Sequence, residues 1–239
     1  MRTILDMISQ VVNNFGMWVR IILGSRHMLR FRSMTNEERF TKIYDENMWG
    51  DTESLSGTLS SMEGAAPIRE QLPAFIEDLQ VGTFLDVPCG DFNWMNDMDL
   101  PVKKYIGADI VRSMIDANRR QYANEDREFI YLDVMNEALP QADLIFCREC
   151  FIHFSNQDIQ RTLNNFRQSD ATYLLTTTHP ELKKNVDIET GFWRPINLQA
   201  APFHLPPPLK LLTEYANSNG VLGKSMGLWH ISDLGIERD

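Results

Sequence analysis

A chain of 239 residues with 43% hydrophobic and 23% charged residues can bury a full core without disulfide or metal staples, which excludes global disorder. Its formal charge of −10, from 23 Lys and Arg against 33 Asp and Glu, argues against a nucleic-acid binder, because phosphate backbones are held by clustered cations. Three cysteines, Cys89, Cys147 and Cys150, are too few for a disulfide framework and fit a reducing compartment.

Residues 1–34 read as a basic amphipathic helix. Arg2, Arg20, Arg26, Arg30 and Arg32 against Asp6 give +4, which leaves −14 for the remainder. Ile4, Ile8, Val11, Phe15, Trp18 and Ile22 recur at helical spacing. Such a stripe packs on the protein body or a second subunit, or alternatively lies on an anionic membrane or partner through residues 4–23. No run reaches the length of a membrane span and no secretory leader is apparent, so the expected location is cytoplasmic, membrane-peripheral if that helix docks.

Residues 35–79 form a helical and loop-rich leading segment, with a possible lid. Thr35-Asn-Glu-Glu38 is a capping-box pattern and predicts a helix through Arg39 to Tyr44. The stretch 49–61 is rich in Ser, Thr and Gly but carries Trp49, Leu55 and Leu59, so it reads as an ordered loop. A helix over 64–78 places Ile68, Leu72, Phe75, Ile76 and Leu79 on one side.

From residue 80 to 239 the pattern is that of a single core. Apolar runs at 83–87, 104–109, 128–132, 142–147 and 172–177 alternate with helices predicted at 92–98, 111–122 and 156–168. This predicts an α/β fold with a doubly wound, mostly parallel, seven-stranded Rossmann-like sheet. After an insertion at 179–207, the tail reads as a helix at about 208–218 and an antiparallel hairpin of 221–222 with 228–231.

The chemistry centres on Phe84-Leu-Asp-Val-Pro-Cys-Gly-Asp-Phe92. A strand ends in Asp86, turns through Pro88-Cys89-Gly90, and is expected to enter a helix at Asp91. Gly90 lets backbone approach a ligand closely. The first βα turn of a doubly wound sheet is where nucleosides bind, and an acid about twenty residues on, here Asp109 after Tyr105-Ile-Gly-Ala, accepts from ribose hydroxyls.

This turn resembles that of the class I S-adenosylmethionine-dependent methyltransferases, which commonly reads Asp/Glu-x-Gly-Cys-Gly-x-Gly. Asp86 and Gly90 match, while Pro88 and Phe92 replace two glycines. The resemblance continues at Tyr131-Leu-Asp133, where an acid commonly contacts adenine, and at Ala142–His153, the fourth strand and its exit loop. A narrower group of methyltransferase-like proteins is similar over Trp49-Gly50, Glu53–Gly57, Asp86–Trp94, Trp193–Leu198 and Pro202-Phe203. The resemblance implies S-adenosyl-L-methionine as cofactor, with Trp49, Asp86, Pro88, Gly90, Asp91, Asp109, Ile110, Asp133, Cys147 and Arg148 around it. A nicotinamide dinucleotide is disfavoured, because glycines are missing and Asp91 at a helix start repels a diphosphate.

Methyl transfer needs a base when the acceptor loses a proton, as an alcohol does. His153 and Glu149, after the fourth strand, are the candidates. His179, Arg194 and Asn197 are candidate acceptor-binding residues on the strand ends and the insertion. Cys147-Arg-Glu-Cys150 lacks a second ligand pair, so no metal is expected. The reading is O-methylation of a small-molecule or glycan acceptor, without nucleic acid. The alternative is a catalytically silent module of the same fold, acting on a membrane or partner through its N-terminal helix.

Overall fold

The computed structural model describes residues 31, 33–218 and 222–234. The helix expected within residues 4–23 lies outside them. Helix α1 (Asn36–Asp45) starts from Thr35, whose hydroxyl accepts the Glu38 N–H while the Glu38 carboxylate accepts the Thr35 N–H. Helix α2 (Ala66–Asp78) begins at a proline turn and buries Ile68, Leu72, Phe75 and Ile76.

The core alternates strands with helices: β1 (Thr83–Asp86), β2 (Lys104–Asp109), α3 (Arg112–Tyr122), β3 (Arg127–Tyr131), β4 (Leu144–Cys147), α4 (Asn156–Arg167) and β5 (Tyr173–Thr178). Then β6 (Lys210–Tyr215) and β7 (Lys224–His230) complete a seven-stranded sheet of order β3-β2-β1-β4-β5-β7-β6. β1 to β5 pair in parallel; β7 is antiparallel to both β5 and β6. Alternate residues of one strand feed opposite faces. Leu85, Ile106, Ile145 and Leu174 join one apolar cluster, and Phe84, Tyr105, Phe146 and Leu175 the other. The expected doubly wound α/β architecture with an antiparallel C-terminal pair is therefore present.

Two predicted helices are corrected. No helix covers 92–98; there is a single 3-10 turn, Met95–Asp97. Phe92 sits at φ 61°, outside right-handed helical space. Its buried ring lies 5.0 Å from Phe129 and 5.2 Å from both Tyr105 and Tyr122, so aromatic packing outweighs helix continuation. The second correction is 208–218, which forms strand β6. Leu212 and Glu214 turn inward while Leu211, Thr213 and Tyr215 face out, a period of two. The C-terminal hairpin consequently joins 210–215 to 224–230 rather than 221–222 to 228–231.

Between β5 and β6 the chain is irregular, yet its polar side chains cross-link it. Asn185 Nδ2 donates to the Asn197 and Ala201 carbonyls, both at 2.8 Å, and the Asn197 N–H returns to Asn185 Oδ1. Among the described residues no helix is long and apolar enough to cross a membrane.

Candidate active site

The strand order reverses between β1 and β4, so their C-terminal ends diverge and leave a crevice. A cavity of about 300 Å³ opens there. Asp86, Pro88, Gly90, Asp109, Ile110 and Asp133 line it from the ends of β1, β2 and β3. Glu149, His153, Trp49 and Trp193 line it from the β4 exit and the two flanking loops.

The first turn is tied to its neighbours. The Val87 N–H reaches the Phe146 carbonyl and the Cys89 N–H the Ala108 carbonyl, each at 2.9 Å. Asp109 accepts the Gly90 N–H at 3.2 Å and the Val111 N–H at 3.0 Å. Gly90 has φ 58°, and a Cβ there would stand 2.5 Å from Ser56 Oγ. Both the left-handed backbone and the close approach of the 49–64 loop thus require glycine.

Asp86 and Asp109 are buried, and neither makes an ion pair among the described residues. Burial pushes Asp86 up to about 8, against the lowering hydrogen bond from the Tyr105 hydroxyl. Burial likewise raises Asp109 to about 6, against the backbone N–H groups it accepts. Asp133 holds its own turn, accepting from Met135 N–H at 3.0 Å and Asn136 Nδ2 at 2.7 Å.

The structure places Asp91 against the 49–64 loop. With no helix behind it, its carboxylate accepts from Ser54 Oγ at 2.9 Å and Leu55 N–H at 2.8 Å, and its own N–H donates to Ser56 Oγ. It latches the 49–64 loop and lies outside the cavity lining. Glu53 reinforces the latch by accepting from Asn93 Nδ2 and the Met62 N–H. Arg148 lines the cavity, but its guanidinium is engaged by Glu214 at 2.6 Å and the Leu59 carbonyl at 2.9 Å, above the Trp94 ring. Cys147 is fully buried in the sheet, outside the lining.

His153 ends the 3-10 turn Phe151–His153. Its Nδ1 is 3.0 Å from the Phe192 carbonyl. A carbonyl only accepts, so Nδ1 carries the hydrogen and Nε2 keeps the lone pair. Burial pushes the imidazole below its ordinary pKa, against the Phe192 bond and Glu149, so it is neutral near pH 7. The Trp49 ring stands 5.0 Å away. Glu149, at φ 55°, pairs with Lys224 at 2.8 Å.

The three residues expected to hold the acceptor do other work. Arg194 donates to the carbonyls of Phe151 at 2.6 Å, Phe154 at 2.9 Å and Val186 at 3.1 Å, clamping the insertion to the His153 turn. Asn197 bonds the Pro180 and Leu182 carbonyls, and His179 Nδ1 meets Ile196 backbone. All three lie outside the cavity lining. From the same insertion Phe203 is buried, whereas Trp193 is 60% exposed at the cavity wall. Sequence reasoning missed Lys224 and Glu214; for Lys224 the available signal was a charge opening the mostly apolar strand β7.

Residues 84–169 match the family model described as "Methyltransferase domain". Among solved structures, the chain is similar to an S-adenosylmethionine-dependent methyltransferase from Leishmania major, at 15% identity and TM-score 0.56, covering 79% of this chain and 82% of that one. It is similar to the N-methyltransferase NodS of Bradyrhizobium japonicum crystallised with S-adenosyl-L-homocysteine, at 11% identity and TM-score 0.52, over 77% and 98% of the two chains. It is also similar to human N-acetylserotonin methyltransferase in complex with its cofactor, at 13% identity and TM-score 0.53, over 88% and 65%. At these identities the likeness is one of fold. No curated protein matches the chain in sequence.

The domain match over residues 84–169 and the sheet order give this chain a methyltransferase-like domain with the fold of S-adenosylmethionine-dependent methyltransferases. The residues present fit that cofactor: the cavity is lined by two buried acids, Asp86 and Asp109, that make no ion pair among the described residues and could face hydroxyls and a cation. Among the described residues no group of acids, histidines and cysteines could hold a metal ion.

Proposed function

We propose that this methyltransferase acts on a hydroxyl of a small-molecule or glycan acceptor, in the cytoplasm. The observation that carries the reading is His153. Its Nδ1–H is fixed on the Phe192 carbonyl, so Nε2 is left as a neutral base in a cavity wall. Bound S-adenosylmethionine supplies a methyl group already activated by its sulfonium. The protein then has two tasks, to orient the acceptor oxygen and to accept its proton. His153 accepts the proton at Nε2 and becomes imidazolium beside Glu149. Asp109 and the Gly90 turn would hold the nucleoside part, Asp86 would meet the cationic part, and Pro88, Ile110, Asp133 and Trp49 would complete the pocket around it.

Two features support a neutral acceptor with a flat face. Asp109, Asp133 and Glu149 line the cavity, while the Arg148 charge is matched by Glu214, so an anionic acceptor meets repulsion. Trp49 and Trp193 offer ring faces for an aromatic or sugar ring. The cytoplasmic assignment is supported by three free, buried thiols.

The test is transfer of isotope-labelled methyl from S-adenosylmethionine to a panel of phenols, catechols and simple sugars, with mass spectrometry of the products. An ether product is expected, with His153→Ala lowering turnover about 100-fold or more at unchanged cofactor affinity. Labelled amines in place of ethers, or full activity of His153→Ala, would overturn the oxygen reading.

A further inference from the structure

Four charged side chains meet, Arg148 and Glu149 from the exit of β4, Glu214 from β6 and Lys224 from β7. The Lys224 ammonium lies 2.8 Å from Glu149 Oε1 and 3.2 Å from Glu214 Oε2, and Arg148 Nη2 is 2.6 Å from Glu214 Oε2. The four are between 0% and 15% exposed. Two cations and two anions make the group neutral overall, which is how buried charge is tolerated. Lys224 and Glu214 are outside the cavity lining, whereas Glu149 is in it. Glu149 is positioned from three strands: it follows β4, its N–H is held by Thr177 Oγ1 of β5 at 2.9 Å, and its carboxylate is held by Lys224 of β7.

From this arrangement we propose that Lys224 is a positioning residue, holding Glu149 ionised and oriented beside His153 so that the carboxylate offsets the charge His153 gains with the acceptor's proton. The proposal rests on the reading of His153 as the base. A fixed anion in a water-poor wall favours the imidazolium without reorganising as charge develops. Burial alone would raise the Glu149 carboxyl; the Lys224 and Arg148 cations outweigh it and hold the group below its ordinary value. His153 feels the Glu149 anion in its favour and the Arg194 guanidinium against it, while the Phe192 carbonyl fixes its ring. His179 also feels Glu149, but its ring is bound to Ile196 backbone. A single ammonium suits this position because one compact charge serves two carboxylates at once.

The purely structural alternative is that the quartet only fastens the β6–β7 hairpin to the sheet. The titration of His153 separates the two. It is followed by histidine-resolved NMR in the ligand-free full chain, for the wild type, Glu149→Gln, Lys224→Met and Lys224→Arg. Glu149→Gln is expected to lower the His153 pKa, Lys224→Met to lower it in the same direction, and Lys224→Arg to restore it. The double variant Glu149→Gln/Lys224→Met keeps the group neutral and decides the matter should Lys224→Met fail to fold. It is expected to titrate like Glu149→Gln alone, since Lys224 acts through Glu149. Wild-type titration in folded Lys224→Met, no effect of Glu149→Gln, or a further change in the double variant would each overturn the proposal. Failure of the base reading appears elsewhere, as turnover that survives His153→Ala, and leaves the titrations unaffected.

Discussion

The hydroxyl of Tyr105 donates to Asp86 Oδ2 at 2.5 Å, from one buried side chain to another across the β1–β2 pairing. The bond favours the carboxylate, but burial dominates and raises Asp86 to about 8. An acid whose folded pKa exceeds its unfolded value of about 3.9 binds more protons folded than unfolded between the two. Its contribution is therefore greatest below the unfolded pKa and is lost as pH rises towards 8. Ligand-free protein should lose thermal stability from about pH 5 to about pH 8, with Asp109 adding to the early part of the fall. Asp86→Asn, which stays neutral, should flatten the curve. Unfolding midpoints of both proteins across that range make the comparison; equal slopes would mean that Asp86 titrates normally.

Asp109 joins the first turn to the end of β2 and faces the cavity. Replacing it with Ala should weaken S-adenosylmethionine binding by about tenfold or more, the scale of one or two hydrogen bonds to a charged group. Because its ionised form is disfavoured by burial, the ligand-free variant should remain folded. Calorimetric affinity and the unfolding midpoint, measured together, separate a lost contact from a lost fold.

The Asp91 latch holds the 49–64 loop from outside the cavity, with Ser56, Thr58 and Leu59 of that loop in the wall. Asp91→Ala should thus weaken cofactor binding although Asp91 is not itself part of the lining. Gly90→Ala should be worse, since it combines a left-handed backbone with a 2.5 Å approach to Ser56. Protease sensitivity of the loop with and without S-adenosylhomocysteine reports the latch; a loop equally protected in Asp91→Ala would remove it.

The sheet was legible because its strands are short apolar runs between helical patterns, and the capping box at Thr35 named its helix outright. The errors share a cause. Phe92 abandons the helix after β1 for an aromatic cluster assembled from β2, β3 and α3, which no local pattern encodes. Lys210–Tyr215 has helix-compatible composition, and its strand state comes from pairing with β7. At the site, Asp86, Gly90, Asp109 and His153 are assigned to the cavity by their strand-end positions. Arg194 and Asn197 have the chemistry of ligand-binding residues, but an irregular insertion must bond its own backbone, and they serve that need.

Trp193 keeps its ring largely exposed at the cavity wall while its neighbour Arg194 anchors the loop. Trp193→Ala should raise the KM for the acceptor with little effect on cofactor affinity or stability. Steady-state kinetics with both substrates varied would reveal it; a change confined to the cofactor KM would place the ring on the other side of the reaction.

The most direct measurement is isothermal titration of the protein with S-adenosylmethionine, S-adenosylhomocysteine and NAD, in wild type and Asp109→Ala. The expected result is binding of the first two, weakened in the variant, with none for NAD. Binding of NAD, or no binding of either adenosyl ligand by folded protein, would contradict the cofactor site built here around Asp86, Gly90 and Asp109.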